Sequence, residues 1–431
     1  MAHRGVGRTR NVRSQPGGPG ELPIWPETVQ GRRLVTMLQR HVEKLREEPA
    51  HGNRRLFLDD VFVAYLLAFY NPSVRSLRTI EDFSQTRQAQ KCLSIRQLCK
   101  STLSDFNAVA DPQRLQPIID ALRGELARRS LTQPPPGDLA AVLKQVIAVD
   151  GTFLPAVADV AWAVCSRNQH EGEQHRARLD WQVDVHTWLP ELVAVPEPGQ
   201  SEADSAAEAV RPGVVYVYDR GFQSFALMAA HYTVDGPTVR PHADFVLRLR
   251  EEGANSITLA TLEERPLTEA ARAARIVADR LVEVPGLQNQ HGFYAVLREV
   301  VLTLPDGTTL RLLTTLCDPA AEVVALIYQW RWQIELFFRW LKCYANFNHL
   351  ISHSREGVLL NFYVVVIGVL LTYLQMNGRP SKYMFALLGV VANGGATLEE
   401  ILPILRERER QCAVARASAA KRRAKKLAEG R

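Results

Sequence analysis

Two runs of β-branched and aromatic residues, each closed by an aspartate, constrain this chain more than any other feature. Val146-Ile147-Ala148-Val149 runs into Asp150-Gly151-Thr152, and Val214-Val215-Tyr216-Val217-Tyr218 runs into Asp219-Arg220-Gly221-Phe222. A run that is apolar on both alternating faces suits a strand whose two faces are both covered, as in a parallel sheet packed by helices. The expected class is therefore α/β. Neighbouring strands lie about 4.8 Å apart, so adjacent placement would bring the two terminal carboxylates to one point. Close carboxylates repel, and a cation between them relieves the repulsion. Magnesium suits such a place because it takes hard oxygen ligands and keeps several waters. Taken singly, each aspartate is also consistent with a strand-end turn or a helix cap.

A second feature lies in residues 327–342, IYQWRWQIELFFRWLK. If this segment is one helix, Tyr328, Arg331, Glu335 and Lys342 fall at about 0, 300, 340 and 320° around it, inside an arc of roughly 60°. The rest of the circumference carries Trp330, Trp332, Ile334, Leu336, Phe337, Phe338, Trp340 and Leu341, too apolar to face water on most sides. A buried helix with a tyrosine, two cations and a carboxylate in one line is expected to serve a site. The plainer alternative is an amphipathic helix with an Arg331–Glu335 pair four residues apart. With Glu335 as a third carboxylate, the aspartates could hold two ions roughly 4 Å apart and clamp both oxygens of an in-line phosphoryl transfer.

Together these residues resemble the Asp, Asp and Glu motifs of bacterial insertion-sequence transposases with the Tyr-Arg-Glu-Lys signature. The resemblance rests on Asp150-Gly151-Thr152, on Asp219-Arg220-Gly221-Phe222, and on Tyr328, Arg331, Glu335 and Lys342 with Leu313-Thr314-Thr315-Leu316 just before them. It covers roughly residues 55–375. It implies a ribonuclease-H-like catalytic domain interrupted by a strand-rich insertion, preceded by a helical N-terminal domain. It also implies cleavage and joining of double-stranded DNA at element ends and target, dependent on Mg2+ or Mn2+, by a protein acting as a homodimer on DNA. By the same resemblance Asp150, Asp219 and Glu335 are the metal ligands and catalytic residues, and Tyr328, Arg331 and Lys342 bind DNA phosphates. Arg331 suits bidentate phosphate binding and Lys342 acts as a point charge. Arg220 and Arg339 are lesser candidates for phosphate contact, and Asp180 and Asp184 are rivals to Asp219 as ligands. Some relatives stack an aromatic residue, often tryptophan, on a base flipped from a hairpin intermediate. This chain has no tryptophan between Trp188 and Trp330, which leaves Phe293 or Tyr294 for that role.

The implied organisation is a basic arm and short helix over 1–50, with the helix around 34–45, and a helical domain over 51–140. The catalytic domain takes 141–222 and 318–405, the β-rich insertion 223–317 and a basic tail 406–431. Within these, 56–70 is strongly apolar, Ser104-Asp105 looks like a cap before Phe106, and a helix is expected near 115–131. Strands are expected around 157–164, 179–185 and 244–249. Residues 296–304 should pair with 308–316 across Asp306-Gly307, a hairpin turn signal. Residues 196–212, rich in Glu, Ala and Pro, are expected to be an exposed connection.

The chain has 431 residues, enough for two or three domains, and a formal net charge of +6. Positive charge gathers at the ends, at Arg4, Arg8, Arg10 and Arg13 and from Arg416 through Lys421-Arg422-Arg423 to Arg431. Either end could meet a phosphate backbone or simply stay solvated. The cysteines are scattered without CxxC pairs, and the amino terminus lacks an apolar signal core, so a reducing cytoplasm is expected. His170, His175 and His186 match no standard zinc spacing. Residues 357–376 carry no charge over twenty positions, long enough to cross a bilayer, yet a core helix behind the sheet is the simpler expectation. No P-loop, dinucleotide glycine motif or serine-hydrolase elbow is present. The alternatives are a non-mobilising nuclease or inactive DNA-binding descendant of the same fold, and a membrane-associated protein.

Overall fold

The computed structural model describes residues 38–46, 56–71, 74–90, 93, 97–129, 145–155, 164–168, 172–187, 189–197, 199–251, 256–344 and 351–376, with scattered positions from 387 to 422. The arginines of the arm, residues 156–163, His170 and much of the basic tail lie outside the described residues. So do the side chains of His175, Trp340 and Lys342.

The N-terminal part is helical, with α1 (Gln39–Arg46), α2 (Leu58–Tyr70), α3 (Leu77–Ser84), α4 (Arg87–Gln90), α5 (Lys100–Val109) and α6 (Gln116–Arg128). Ser104 and Asp105 do not cap a helix as expected; they lie inside α5, which begins at Lys100. Leu103, Phe106 and Asn107 form the buried stripe of that helix, and burial at a spacing of three and four outweighs the cap preference of the exposed Ser104-Asp105 pair. The strands then begin: β1 (Val146–Pro155), β2 (Val164–Asn168), β3 (Gly172–Asp184) and β4 (Pro190–Ala194) precede α7 (Glu202–Glu208) and β5 (Val215–Tyr218). After α8 (Phe225–Ala229) come β6 (Tyr232–Asp235), β7 (Thr238–Pro241), β8 (Asp244–Arg248) and β9 (Ala260–Glu264). They are followed by α9 (Glu269–Ala273), β10 (Ile276–Glu283), α10 (Pro285–His291), β11 (Val296–Thr303) and β12 (Thr309–Thr314). Three helices follow: α11 (Ala321–Trp330), α12 (Trp332–Tyr344) and α13 (Arg355–Met376).

The fold is mixed α/β around one large mixed sheet, ordered β2-β3-β1-β5-β8-β12-β11-β10-β9, with β4 added to β3. Strands β1, β5 and β8 run parallel, Ile147 lying opposite Tyr216 and Tyr216 opposite Phe245; the other ladders of this sheet are antiparallel. The apolar runs noted in the sequence are thus central strands, fully buried at Val146, Ile147, Ala148, Val149 and along all of β5. The strand-rich stretch over 223–317 supplies β8 to β12 to this same sheet, and only β6 and β7 pair apart from it. Its β11–β12 hairpin turns at Gly307, whose φ of +86° needs a residue without a Cβ.

The two faces of the sheet carry separate cores. Val146, Ala148, Trp181, Val183, Val215 and Val217 pack with the N-terminal helices and α11, α12 and α13. Ile147, Val149, Tyr216 and Tyr218 pack with α7, α8 and α10. Edge-on contacts of Trp181 with the rings of Phe337 and Phe338, at 5.6 and 6.0 Å, fasten α12 to the first face. Helix α13, long and apolar enough to cross a membrane, has 94% of its apolar window buried inside the protein. It lies against α2, where Tyr70 donates to the Gly368 carbonyl at 2.8 Å and a Cβ on Gly368 would meet the Phe69 ring at 2.6 Å.

The stretch expected to be an exposed connection, 196–212, instead contains α7, packed on the sheet. Ser201 accepts from the Asp204 amide and opens the helix, while Ala203 and Ala206, three apart, bury its inner side. Alanines alone make too faint an apolar stripe to be legible as a packed helix.

Candidate active site

Asp150 sits at the carboxyl end of the parallel part of β1, two residues past Ala148, the last residue paired with β5. Asp219 follows β5 directly and caps the short turn Arg220–Phe222, its Oδ1 accepting the Arg220 amide at 2.7 Å. Because β1 and β5 are parallel neighbours, both acids emerge at one edge of the sheet. Alternation along the strands sends them to the face covered by α11 and α12.

The segment from Tyr328 to Lys342 is not one uninterrupted helix: Arg331 separates α11 from α12. Its dihedrals remain helical, φ −49° and ψ −36°, but the Arg331 amide bonds to the carbonyl three residues back, and Ile334 does the same to Arg331. The turn is tightened and the axis continues, so the polar line survives through Glu335. Tyr328 donates to Asp219 Oδ1 at 3.3 Å, and Arg331 donates to Glu335 Oε1 at 2.8 Å. Arg331 is also stacked over the Tyr328 ring, 5.8 Å from its centroid, and its side chain is only 10% exposed. Its Nε has no hydrogen-bond partner.

Burial pushes the Asp150 carboxyl up to about 7; Arg331 opposes the shift, while Glu202 and Asp219 add to it. Burial likewise raises Glu202, against the pull of Arg178 and with the push of Asp180 and Asp219. At both acids burial is the main cause, and the neighbouring carboxylates add to it.

Several participants were not singled out from sequence. Glu202, on α7 from the opposite face, reaches the same edge. Arg248, at the end of β8, lies 3.9 Å from Asp219 Oδ1. Arg178 binds both oxygens of Asp180, at 2.9 and 3.1 Å, which ties up that rival ligand. Asp184 accepts from the backbone amides of His186 and Thr187 and from the Thr187 hydroxyl, and so shapes a turn. His186 packs edge-on against Trp330 at 4.6 Å. Arg220 faces solvent beside Glu251, and Arg339 is exposed. Phe293 is buried against Tyr232, whereas Tyr294 is 64% exposed.

A hard divalent cation fits the donor chemistry, since every acid at this edge offers oxygen and Asp150, raised first by burial and further by Glu202 and Asp219, is a carboxyl whose ionised form a cation would favour. Among the described residues no three ligand side chains are already gathered closely enough to hold an ion. Glu335 is engaged by Arg331, and Asp219 by Tyr328 and Arg248.

A family model described as the transposase DDE domain matches residues 142–371, just over half the chain and the whole span from β1 into α13. The chain belongs to the DDE transposase family. The family drawn from the Asp, Asp and Glu motifs is thus the one the match identifies. Among curated relatives of this transposase-family chain, a Sinorhizobium fredii protein named as transposase y4zB is 23% identical over 241 residues, 56% of this chain and 63% of the relative. A Geobacillus stearothermophilus protein, named as a transposase for an insertion sequence element, is 36% identical over 74 residues, 17% of this chain and 20% of its own. A Synechocystis protein with a similar name is 27% identical over 144 residues, 26% of this chain and 42% of that protein. The chain spans less than two thirds of each of these relatives. A solved piggyBac transposase synaptic complex with hairpin DNA aligns over 86% of this chain and 80% of that one, at 11% identity and a TM-score of 0.41, too slight a likeness to carry an argument.

Proposed function

We propose that this DDE-family protein cleaves and joins DNA at the ends of an insertion sequence by two-metal phosphoryl transfer on a ribonuclease-H-like core. The observation that carries the reading is the meeting of Asp150 and Asp219 at one end of the parallel strands with Tyr328, Arg331 and Glu335 of the α11–α12 turn. A parallel β1–β5 pair with antiparallel β3 and β2 beyond it supports the ribonuclease-H-like reading.

In this proposal Asp150, Asp219 and Glu335 hold the divalent cations. When bound, such ions activate a water or 3′-hydroxyl and stabilise the leaving oxygen. Arg331 is the phosphate-binding residue: its guanidinium is buried, held by the Tyr328 ring and Glu335, and still has its Nε free to donate. Arg331 also holds Glu335 in the DNA-free protein. A phosphate that draws Arg331 toward itself releases the Glu335 carboxylate, so DNA entry and completion of the acidic triad are coupled. Arg248, beside Asp219, provides a second cation within reach of the scissile phosphate. Lys342, by the family resemblance, adds a further phosphate contact, and synapsis of two element ends calls for a homodimer on DNA.

The test is incubation of the protein with Mg2+ and DNA carrying the flanking element end plus a supercoiled target. Cleavage at the element boundary followed by joining to the target is the expected result. Cleavage without joining would assign a nuclease. Metal-independent cleavage would overturn the two-metal reading.

A further inference from the structure

We propose that the cavity between α7 and the β3–β4 pair is a binding site for a linear aliphatic diamine. The inference goes beyond the catalytic reading and does not depend on it. The cavity lies on the face of the sheet that carries α7, and neither Asp150 nor Asp219 lines it.

The shape of the cavity follows from strand register. Strand β4 pairs with β3 so that Leu192 stands beside Gln182 and Ala194 beside Asp180. Residues two apart on a strand share a face, so Asp180 and Gln182 face the same side, about 6.6 Å apart along β3. Helix α7 packs over them, and Glu202, Ser205, Ala206 and Ala209, spaced by three, one and three, line the cavity from one stripe. Alanine at two of those four places leaves space unfilled, and a cavity of about 270 Å³ remains. Val149, Leu192, Val195 and Ala206 give it aliphatic walls.

Charge decides what such a cavity takes. Asp180 is bound through both oxygens by Arg178 and takes a further hydrogen bond from Ser205. Glu197 is matched by Arg355 at 2.6 Å. The charges left along the cavity are those of Glu202 and Glu208, six residues apart on α7 and so roughly 9 Å apart along its axis. Arg178 pulls on Glu202 from a distance, but its ion pair is with Asp180. Gln182, 3% exposed, donates from Nε2 to the Ala209 carbonyl at 3.3 Å, while its Oε1 has no partner among the described residues. A buried acceptor without a donor is costly, so a ligand N–H is what this part of the cavity lacks. Two acids, an unpartnered acceptor and aliphatic walls match a short methylene chain with an ammonium at each end. One ammonium meets Glu202, the chain lies on Leu192 and Ala206, and the other ammonium meets Glu208 and Gln182 Oε1.

Calorimetric titration of putrescine into the full-length chain, free of DNA and metal, tests this. Butylamine, which has the single ammonium of a lysine side chain, and Mg2+ serve as comparison titrants. Putrescine is expected to bind and to raise the melting temperature, and butylamine to bind more weakly by on the order of tenfold. Glu202→Gln is expected to weaken both amines. Glu208→Gln changes an exposed side chain and is expected to bring putrescine down to the level of butylamine while leaving butylamine unchanged. Absence of putrescine binding overturns the site. Butylamine binding as tightly as putrescine overturns the two-ended ligand and points to a lysine side chain instead. Native putrescine affinity in both variants places the amine elsewhere and overturns the assignment, as does displacement of putrescine by an equal concentration of Mg2+. Should Glu202→Gln fail to fold by circular dichroism, Glu208→Gln decides by itself through the loss of putrescine affinity alone. None of these outcomes involves DNA cleavage, so the catalytic reading stands or falls separately.

Discussion

Two clusters of charge lie in the same sheet, and they are built on opposite principles. Far from the β1–β5 edge, Arg298, only 2% exposed, binds both oxygens of Asp279 at 2.7 Å and reaches the carbonyls of Leu316, Cys317 and Pro319. Beside it Glu299, 1% exposed, accepts from Arg280 at 3.2 Å and from Arg311 at 2.7 Å. Here each carboxylate is matched by guanidinium, and the network ties β10, β11 and β12 to the start of the loop before α11. At the β1–β5 edge the carboxylates of Asp150, Asp219 and Glu202 add to one another's burden, with Arg331 and Arg248 as the counter-charges of the first two and Arg178 that of Glu202. A satisfied network rigidifies, whereas an under-compensated one holds charge ready for something that arrives later. The difference separates matched from under-compensated charge without reference to any motif.

Removing charge should therefore have opposite consequences in the two places. The largest loss of stability is expected from Arg298→Met, about 3–5 kcal/mol, because Asp279 is left buried and unpaired. Urea denaturation measures it, and a loss below 1 kcal/mol would mean the network is not the structural one. Next is the pH response of the metal-free protein. The folded Asp150 carboxyl is raised to about 7, so its contribution to stability is complete below its unfolded value and is lost as pH rises through about 7. Asp150→Asn removes that slope, and the stability advantage of the variant should grow from pH 4 to pH 7. A constant difference across this window would show that Asp150 is not crowded by burial and like charge.

Smaller effects sharpen the contrast. Tyr328→Phe deletes one hydrogen bond to Asp219 and should cost roughly 0.5–1.5 kcal/mol in the metal-free protein. Smallest of all, Glu335→Gln weakens a pair four residues apart whose carboxylate side chain is about a third exposed, worth about 0.3–0.5 kcal/mol. That variant should nevertheless abolish DNA cleavage while leaving DNA binding nearly intact. Loss of folding in Glu335→Gln would make the residue structural instead.

Much of this layout was legible in the sequence because its signals are local. The runs ending at Asp150 and Asp219 are central parallel strands, the Asp306-Gly307 dipeptide turns the β11–β12 hairpin, and the uncharged stretch over 357–376 is the buried α13. The spacing of Tyr328, Arg331 and Glu335 carried through the tightened turn at Arg331. What escaped depends on contacts between distant parts of the chain. Glu202 lies on a short helix whose inner side is alanine, so no apolar period announces it, and its surroundings resemble a linker. Arg248 looks like any strand-end arginine until β8 is known to adjoin β5. The continuity of β8 through β12 with the main sheet is a matter of nonlocal pairing, which no single segment encodes.

The most direct measurement compares native protein with Asp150→Asn for both thermal stability without metal and nicking of element-end DNA with and without Mg2+ at pH 8. If this edge is the catalytic centre, the native protein nicks only with Mg2+. The variant would then melt at the same temperature or higher and would not nick. A variant that melts well below the native protein, or that still nicks, would contradict the assignment.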